Sequence, residues 1–327
     1  MPENVVKELA AAFQAEVRKA SSVLIGTHLN PDGDALGCAL AFSLYLDALG
    51  IKNEVMCHHM APRNLEFLPK TEAISQQAQR SSYDLGVVLD LDAMDRLGRT
   101  EQFFSTCKRL IVIDHHVPHD KPGDIRIVDS SAPATAVILT RLLMEIDAEI
   151  TGPMATCLLT GIVTDTGSFR FRNTTPDSLS VSAYLLERGG DLNQISEEVF
   201  QNKTLSSARL LGHVLESMKL ACDNRLAWSL ITNDDFIQSG AKDEDTEGFV
   251  NEMLFVNSVQ IAVLMMEPKL GKVRVSIRSR GEVDVAQVAR EFGGGGHKNA
   301  AGCAFDIPLQ EVEECLIRRL KVCLESF

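Results

Sequence analysis

The chain has 327 residues, 45% hydrophobic and 24% charged, with a net charge of −13. That length accommodates two ordinary domains, each with its own core, and the excess of acid excludes a surface built to coat nucleic acid indiscriminately. An anionic substrate in a pocket stays possible, because bound cations and a few placed arginines reverse a local potential. Any nucleic-acid partner is therefore expected to be short.

The opening stretch "MPENVVKELAAAFQAEVRKA" (1–20) predicts an amphipathic helix with interspersed charges rather than a signal peptide. No stretch reaches the ~18 uninterrupted apolar residues of a membrane span. The eight cysteines (38, 57, 107, 157, 222, 303, 315 and 323) form no CxxC pair and sit mostly among Ala, Leu and Val. They point to reduced, buried thiols and a cytoplasmic, soluble protein.

Strands and helices then alternate. "SVLIGTH" (22–28) predicts a buried strand, "DALGCALAFSLYLDALG" (34–50) a helix, and "KNEVMC" (52–57), "LGVVLDLD" (85–92), "RLIVIDHH" (109–116) and "IRIVD" (125–129) four further strands. Short apolar strands with helical crossovers indicate a parallel sheet covered on both faces. From "SAPATAVILTRLLMEI" (131–146) to "SARLLGHVLESMKL" (207–220) the pattern is mostly helical, with Ser131 the expected N-cap and Pro133 in the first turn. A second α/β region starts near "RLAWSLIT" (225–232), continues in the strands "SVQIAVLMME" (258–267) and "KVRVSIRSR" (272–280), and closes with the helices "DVAQVAREF" (284–292) and "PLQEVEECLIRRLKVCLESF" (308–327). The expected architecture is α/β: a parallel-sheet domain over 1–186, a helical connector over 187–224, and a smaller α/β domain over 225–327.

Four segments place acids and histidines at element ends. "THLNPDGDALG" (27–37) offers His28, Asp32 and Asp34, "LDLDAMDRLG" (89–98) offers Asp90 and Asp92, "IDHH" offers Asp114, His115 and His116, and "TGIVTDTGSFRF" (160–171) puts Asp165 before a glycine turn. Ligands of open α/β sheets gather outside the carboxyl ends of the strands, so these side chains can converge. A set of His and Asp without thiolate suits Mn²⁺ or Mg²⁺ more than structural zinc, and one carboxylate can bridge two cations roughly 3.5–4 Å apart. Each residue alone has a plainer explanation. Asp32 or Asp34 would serve as a helix N-cap, Asp90 and Asp92 as an Asx turn, Asp165 as a helix end, and His28 as a core histidine. All of them together are hard to explain as independent turns. No GxGxxG follows the first strand, which weakens a dinucleotide-binding reading.

The ordered set "HLNPDGDALG", "DLDAMDRLG", "IDHH" and "GIVTDTGSF", followed by "GGGGHKNAAGCAF" (293–305), resembles the DHH phosphoesterase superfamily with its DHH-associated C-terminal domain. Within it the chain is similar to the bacterial oligoribonuclease (nanoRNase) and pAp phosphatase group. The resemblance implies that His28 and Asp32 hold one metal, that Asp34, His115 and Asp165 hold the other, and that Asp90 bridges them, Mn²⁺ being the common metal. It places His116 beside the scissile phosphate as an acid or electrostatic stabiliser. Asp114 then orients an imidazole, and Asp92 is left out of the ligand set. Arg96 would reach a phosphate from the pocket rim or else form a surface ion pair, and His58, His59, His119 and His213 read as ordinary loop or surface histidines.

The second region reads as a substrate clamp. Gly294, Gly295 and Gly296 would form an anion nest, with "KNAAG" starting a helix behind it and His297 and Lys298 adding donors. In "VRVSIRSRG" (273–281) strand periodicity puts Arg274, Arg278 and Arg280 on one face, where guanidinium groups grip phosphates and stack on bases. The alternatives are a flexible linker and a solvated face. The expected activity is metal-dependent hydrolysis of short oligoribonucleotides to mononucleotides, with pAp a further substrate and a homodimer the first expectation for assembly. The rivals are a linear or cyclic dinucleotide phosphodiesterase, an inorganic pyrophosphatase, an exonuclease for long DNA and a non-catalytic nucleotide sensor.

Overall fold

A computed structural model describes residues 2–91, 93–117 and 122–325, and the chain divides into two compact units, Met1–Asn202 and Lys203–Phe327. The first unit runs α1 (Pro2–Lys19), β1 (Ser22–Gly26), α2 (Gly33–Ala48), β2 (Lys52–Met56), β3 (Ile74–Ser75), β4 (Leu85–Leu89), α3 (Glu101–Phe104), β5 (Leu110–Asp114) and β6 (Ile125–Val128). It closes with α4 (Thr135–Glu145), α5 (Gly152–Asp165), α6 (Pro176–Glu187) and α7 (Leu192–Phe200). Its six strands are all parallel, in the order β3-β2-β1-β4-β5-β6. The chain runs outward from β1 in one direction and restarts at β4 on the other side. That reversal opens a crevice at the carboxyl ends of β1 and β4.

The strands are continuous apolar runs because both faces are covered. Val23, Ile25, Val87, Leu89, Ile111 and Ile113 face the core shared with the long helices, while Leu24, Val88 and Val112 face a smaller cluster with Leu97 and Phe104. Helix α2 is buried around most of its circumference, as its unbroken apolar sequence requires. It packs on α5 so closely that a Cβ at Gly37 would lie 2.3 Å from the Cys157 carbonyl oxygen. A Cβ at Gly161, on α5, would lie 2.5 Å from Asp34 Oδ1. Two features depart from expectation. Strand β3 has no counterpart in the sequence reading, because two residues are too short to give a periodic signal. Ser131 is not the cap of the following helix: α4 begins at Thr135 after Ala134, beyond Pro133, and its first amides donate to Asp34 instead.

The second unit runs α8 (Leu205–Glu216), β7 (Lys219–Ala221), β8 (Leu226–Ile231), α9 (Asn233–Ser239), α10 (Phe249–Leu254), β9 (Ile261–Lys269), β10 (Lys272–Ser279), α11 (Val285–Glu291), β11 (Gly295–His297), β12 (Ala300–Phe305) and α12 (Leu309–Glu325). Its mixed sheet has the order β11-β12-β10-β9-β8-β7, with β8 and β9 parallel and the other pairs antiparallel. Alternate residues of β9 enter two cores, Ile261, Val263 and Met265 one and Ala262, Leu264 and Met266 the other. The "KNAAG" segment corrects the expected helix: Ala300–Phe305 is strand β12, paired with β10, and β11–β12 is a hairpin. Small residues are needed there. A Cβ at Gly294 would sit 2.1 Å from the Gly302 oxygen, and one at Gly296, where φ is +135°, would sit 2.4 Å from the Ala300 oxygen.

Two glycine substitutions should move stability in opposite directions. Gly37→Ala forces α2 off α5 and should cost about 1–3 kcal/mol. Gly212→Ala, on exposed α8 with nothing within 4 Å of the new Cβ, should add about 0.5–1 kcal/mol. Urea unfolding midpoints of the two variants and the parent give both values.

Candidate metal centre

The crevice collects the acids and histidines. His28 follows β1, Asp32 and Asp34 open α2, Asp90 follows β4, Asp114 ends β5 with His115 and His116 after it, and Asp165 ends α5. His28 Nε2 lies 3.8 Å from Asp32 Oδ1 and 3.3 Å from Asp90 Oδ2. His115 Nε2 lies 3.5 Å from Asp90 Oδ1 and 3.3 Å from Asp165 Oδ2. Among the described residues, one set of ligand atoms (His28, Asp32, Asp90) and another (Asp34, His115, Asp165) each fall within 4.8 Å of one another. Asp90 reaches both sides, one carboxylate oxygen toward His28 and the other toward His115. Its backbone is left-handed, with φ of +58°, and its amide donates to the Ile113 carbonyl at 3.0 Å. The left-handed turn ends β4 and is tolerated best by Asp, Asn and Gly.

Both imidazoles are prepared as nitrogen ligands. His28 Nδ1 lies 2.7 Å from the Leu29 carbonyl and His115 Nδ1 lies 3.2 Å from the Ala132 carbonyl. A carbonyl only accepts, so each Nδ1 carries the proton and each Nε2 faces the carboxylates. His116 is held differently. Its Nδ1 is 2.7 Å from Asp114 Oδ1, and its amide donates to that same oxygen at 3.1 Å. Its Nδ1 also groups with Asp90 and His115, but the proton it gives Asp114 makes it a poor ligand atom. Asp32 acts as an N-cap and sits in the cluster at once: Oδ1 accepts from the Asp34 and Ala35 amides, both at 3.1 Å, and its side chain is half exposed.

Charge splits the four carboxylates. Burial pushes Asp34 well above the usual range, and Asp90 and Asp32 push it further; burial does the same to Asp165, reinforced by Asp34, Asp32 and Asp90. Burial also opposes charge on Asp90, but the hydrogen bond with His28 and the positive charge of His115, His28 and His116 outweigh it and hold Asp90 low. Burial would lower His28, yet hydrogen bonds with Asp32 and Asp90 raise it to about 10. Without a cation, therefore, protons balance the negative charge. Cys38 Sγ lies 3.5 Å from Asp34 Oδ1, but burial and then the Asp34 charge push its thiol far up, so it donates to Asp34 rather than offering a thiolate. Once those protons leave, the donors are hard oxygens and imidazole nitrogens, a set that fits Mn²⁺ or Mg²⁺.

The other predicted residues lie elsewhere. Arg96 is half-buried in the 3₁₀ turn Met94–Thr100, and its carbonyl accepts from the Leu29 amide at 2.7 Å, bracing the loop that carries His28. His58 and His59 also brace loops: the Arg99 amide donates to His58 Nδ1 at 2.9 Å and the Asn30 amide to His59 Nδ1 at 3.2 Å. In the second unit Arg274 pairs with Asp243 at 2.6 Å, Arg278 is half-buried with an Nη1 on the Ile277 carbonyl at 3.1 Å, and Arg280 is exposed just past β10. Lys298 pairs with Glu282 at 2.5 Å on an exposed surface. Asp92, His119 and the His297 side chain lie outside the described residues. Sequence reasoning missed Thr135, whose hydroxyl meets Asp90, and Asn173, whose amide donates to the Pro133 carbonyl at 3.2 Å and the Asp165 carbonyl at 3.0 Å. The run of small and polar residues before α4 is the available signal, but its composition points to Ser131.

Two measurements test the cluster. Mn²⁺ must displace the His28 proton and those favoured on Asp34 and Asp165, so binding should release protons and tighten as pH rises from about 6 to about 9. Calorimetry in two buffers of different ionisation heat detects that release, and an unchanged heat between them contradicts it. Asp90→Asn should keep the circular dichroism of the parent and lose stoichiometric Mn²⁺ binding.

Residues 22–162 match the DHH family, N-terminal domain, and residues 226–325 match the DHHA1 domain. The bifunctional oligoribonuclease and PAP phosphatase NrnA of Thermus thermophilus is 36% identical over 316 residues, covering 93% of this chain and 94% of that one. A solved structure of an exopolyphosphatase-related protein from Bacteroides fragilis aligns with a TM-score of 0.89 and 26% identity, covering 97% of this chain and 95% of that one. RecJ of Thermus thermophilus, solved in complex with Mn²⁺, shares the fold at a TM-score of 0.56 and 14% identity, over 100% of this chain and 55% of that one. The matched domains, the near-full-length relative and the His and Asp cluster at the sheet's reversal point agree, and the chain belongs to the DHH family of phosphoesterases.

Proposed function

We propose that this protein hydrolyses short oligoribonucleotides to mononucleotides and removes the 3′-phosphate of pAp, using two divalent cations, Mn²⁺ first. The observation that carries the reading is the two neighbouring ligand sets with Asp90 between them, one oxygen toward His28 and the other toward His115, and His116 held beside them by Asp114. The likeness to an oligoribonuclease and PAP phosphatase across 93% of the chain supports the substrate class, and the Mn²⁺ complex of RecJ supports the choice of metal. The free thiols fit a reducing compartment, and no helix among the described residues is long and apolar enough to cross a membrane.

His28 and Asp32 would hold one cation, Asp34, His115 and Asp165 the other, and Asp90 both. Such cations neutralise charge developing on a phosphate and lower the pKa of the attacking water. The side chains do the rest. Asp114 holds the Nδ1 proton of His116, which leaves Nε2 as the atom that exchanges a proton with the leaving oxygen. One Asp114 carboxylate oxygen accepts from both the His116 backbone amide and its ring Nδ1, which orients the ring, so the ring loses little entropy on binding substrate. In the second unit, exposed Arg280 and Lys298, half-buried Arg278, His297 and the amides of Gly295 and Gly296 would bind an anionic group of the substrate, while the Gly294 amide already donates to the Ala289 carbonyl at 2.9 Å. The Lys298 ion pair is a weak barrier to that, since exposed pairs contribute about 0–1 kcal/mol.

The test is a panel with Mn²⁺: end-labelled RNAs of about two to ten residues, pAp, cyclic dinucleotides and pyrophosphate. Mononucleotides should appear from the short RNAs and AMP from pAp; release from neither, or from pyrophosphate alone, rejects the proposal. His116→Ala should lower turnover about 10²–10⁴-fold with Mn²⁺ occupancy unchanged. Arg280→Ala should raise KM and leave kcat near that of the parent.

A further inference from the structure

We infer that Thr135 is a positioning residue that fixes the plane of the shared carboxylate and ties the two ligand sets into one cooperative cation-binding unit. Thr135 is fully buried at the start of α4. Its hydroxyl donates to Asp90 Oδ1 at 2.9 Å, and its own amide donates to Asp34 Oδ2 at 2.6 Å. The next amide, from Ala136, donates to Asp34 Oδ1 at 2.9 Å. A single residue thus grips one carboxylate from each set.

The choice of oxygen matters. Asp90 Oδ2 faces His28 Nε2, whereas Oδ1 faces His115 Nε2, His116 Nδ1 and the Thr135 hydroxyl. The last torsion of an aspartate is soft and broad. Neither the left-handed backbone of Asp90 nor its amide bond to Ile113 fixes that torsion. His28 holds Oδ2 and the Thr135 hydroxyl holds Oδ1, and rotation of the carboxylate would leave the buried hydroxyl without an acceptor. Since the hydroxyl and amide of Thr135 share a rigid first helical turn, Asp34 and Asp90 are held in one fixed relation.

This inference rests on the two-cation reading, and its test reads the metal rather than turnover. Mn²⁺ titrations of the parent, Thr135→Val and Thr135→Ser would be followed by calorimetry and by electron paramagnetic resonance. Thr140→Val serves as the control, because Thr140 is another buried threonine of α4 and its hydroxyl only donates to the Ala136 carbonyl at 2.6 Å. The parent should show a spin-coupled Mn²⁺ pair. Thr135→Val should bind Mn²⁺ about 10–100-fold more weakly and show isolated ions. Thr135→Ser, which keeps the hydroxyl, should restore coupling, and Thr140→Val should leave it intact. A coupled parent with an equally coupled Thr135→Val overturns the role of Thr135 alone. So does a Thr140→Val variant that loses coupling to the same degree, since helix stability would then be the cause. A parent with no coupled pair overturns the two-cation reading, and this inference with it.

Discussion

Everything in the first unit answers to one electrostatic problem: four carboxylates converge, three of them largely withdrawn from water. Like charges at such distances cannot all ionise unless something positive shares the space. The fold supplies part of that compensation from the chain. His28, His115 and His116 ring Asp90, and the first amides of α4 meet Asp34, where the positive end of the helix also favours a negative charge. The remainder is carried by protons on His28, Asp34 and Asp165. A site that must borrow protons to stay neutral is one that exchanges them readily for divalent ions.

The geometry of that convergence comes from backbone features far from any charge. The reversal of strand order puts the ends of β1 and β4 side by side, and β5 follows next to β4. Asp34 and Asp165 sit on different helices, and they meet only because α2 and α5 approach through glycines, with Gly161 directly against the Asp34 carboxylate. The left-handed turn at Asp90 then carries the shared carboxylate out of the strand. A helix capped by a carboxylate from another helix, as α4 is by Asp34, makes secondary structure and site assembly one event.

Much of this was legible in the sequence for a physical reason. A buried parallel strand must be apolar along its whole length, so acids and histidines at its end stand out, and Asp90, Asp114, His115 and His116 were found that way. The divergence of His115 and His116 was legible too, because successive residues leaving a strand point apart, whereas which imidazole Asp114 orients came only from the structure. What stayed hidden depends on contacts between distant segments. Ser131 has the composition of an N-cap, but the cap of α4 lies on Asp34, a hundred residues earlier, and no local pattern encodes it. Thr135 was hidden for the same reason. "GGGGHKNAAG" contains glycines that look like an anion nest, yet at Gly294 and Gly296 they are required by the close approach of β12. Composition alone does not separate a loop shaped for a ligand from one shaped for its own neighbour.

The strand order has a further consequence for how the molecule comes into being. β1 lies between β2, which follows it closely in the chain, and β4, which begins at Leu85. The groups that would chelate an ion extend from His28 to Asp165, so no short folded fragment contains the set. Such long-range pairing is slow to form, so a partly folded chain lacks the complete set of candidate ligands. Any ion that needs the full set would find it only once the first unit has reached its native topology.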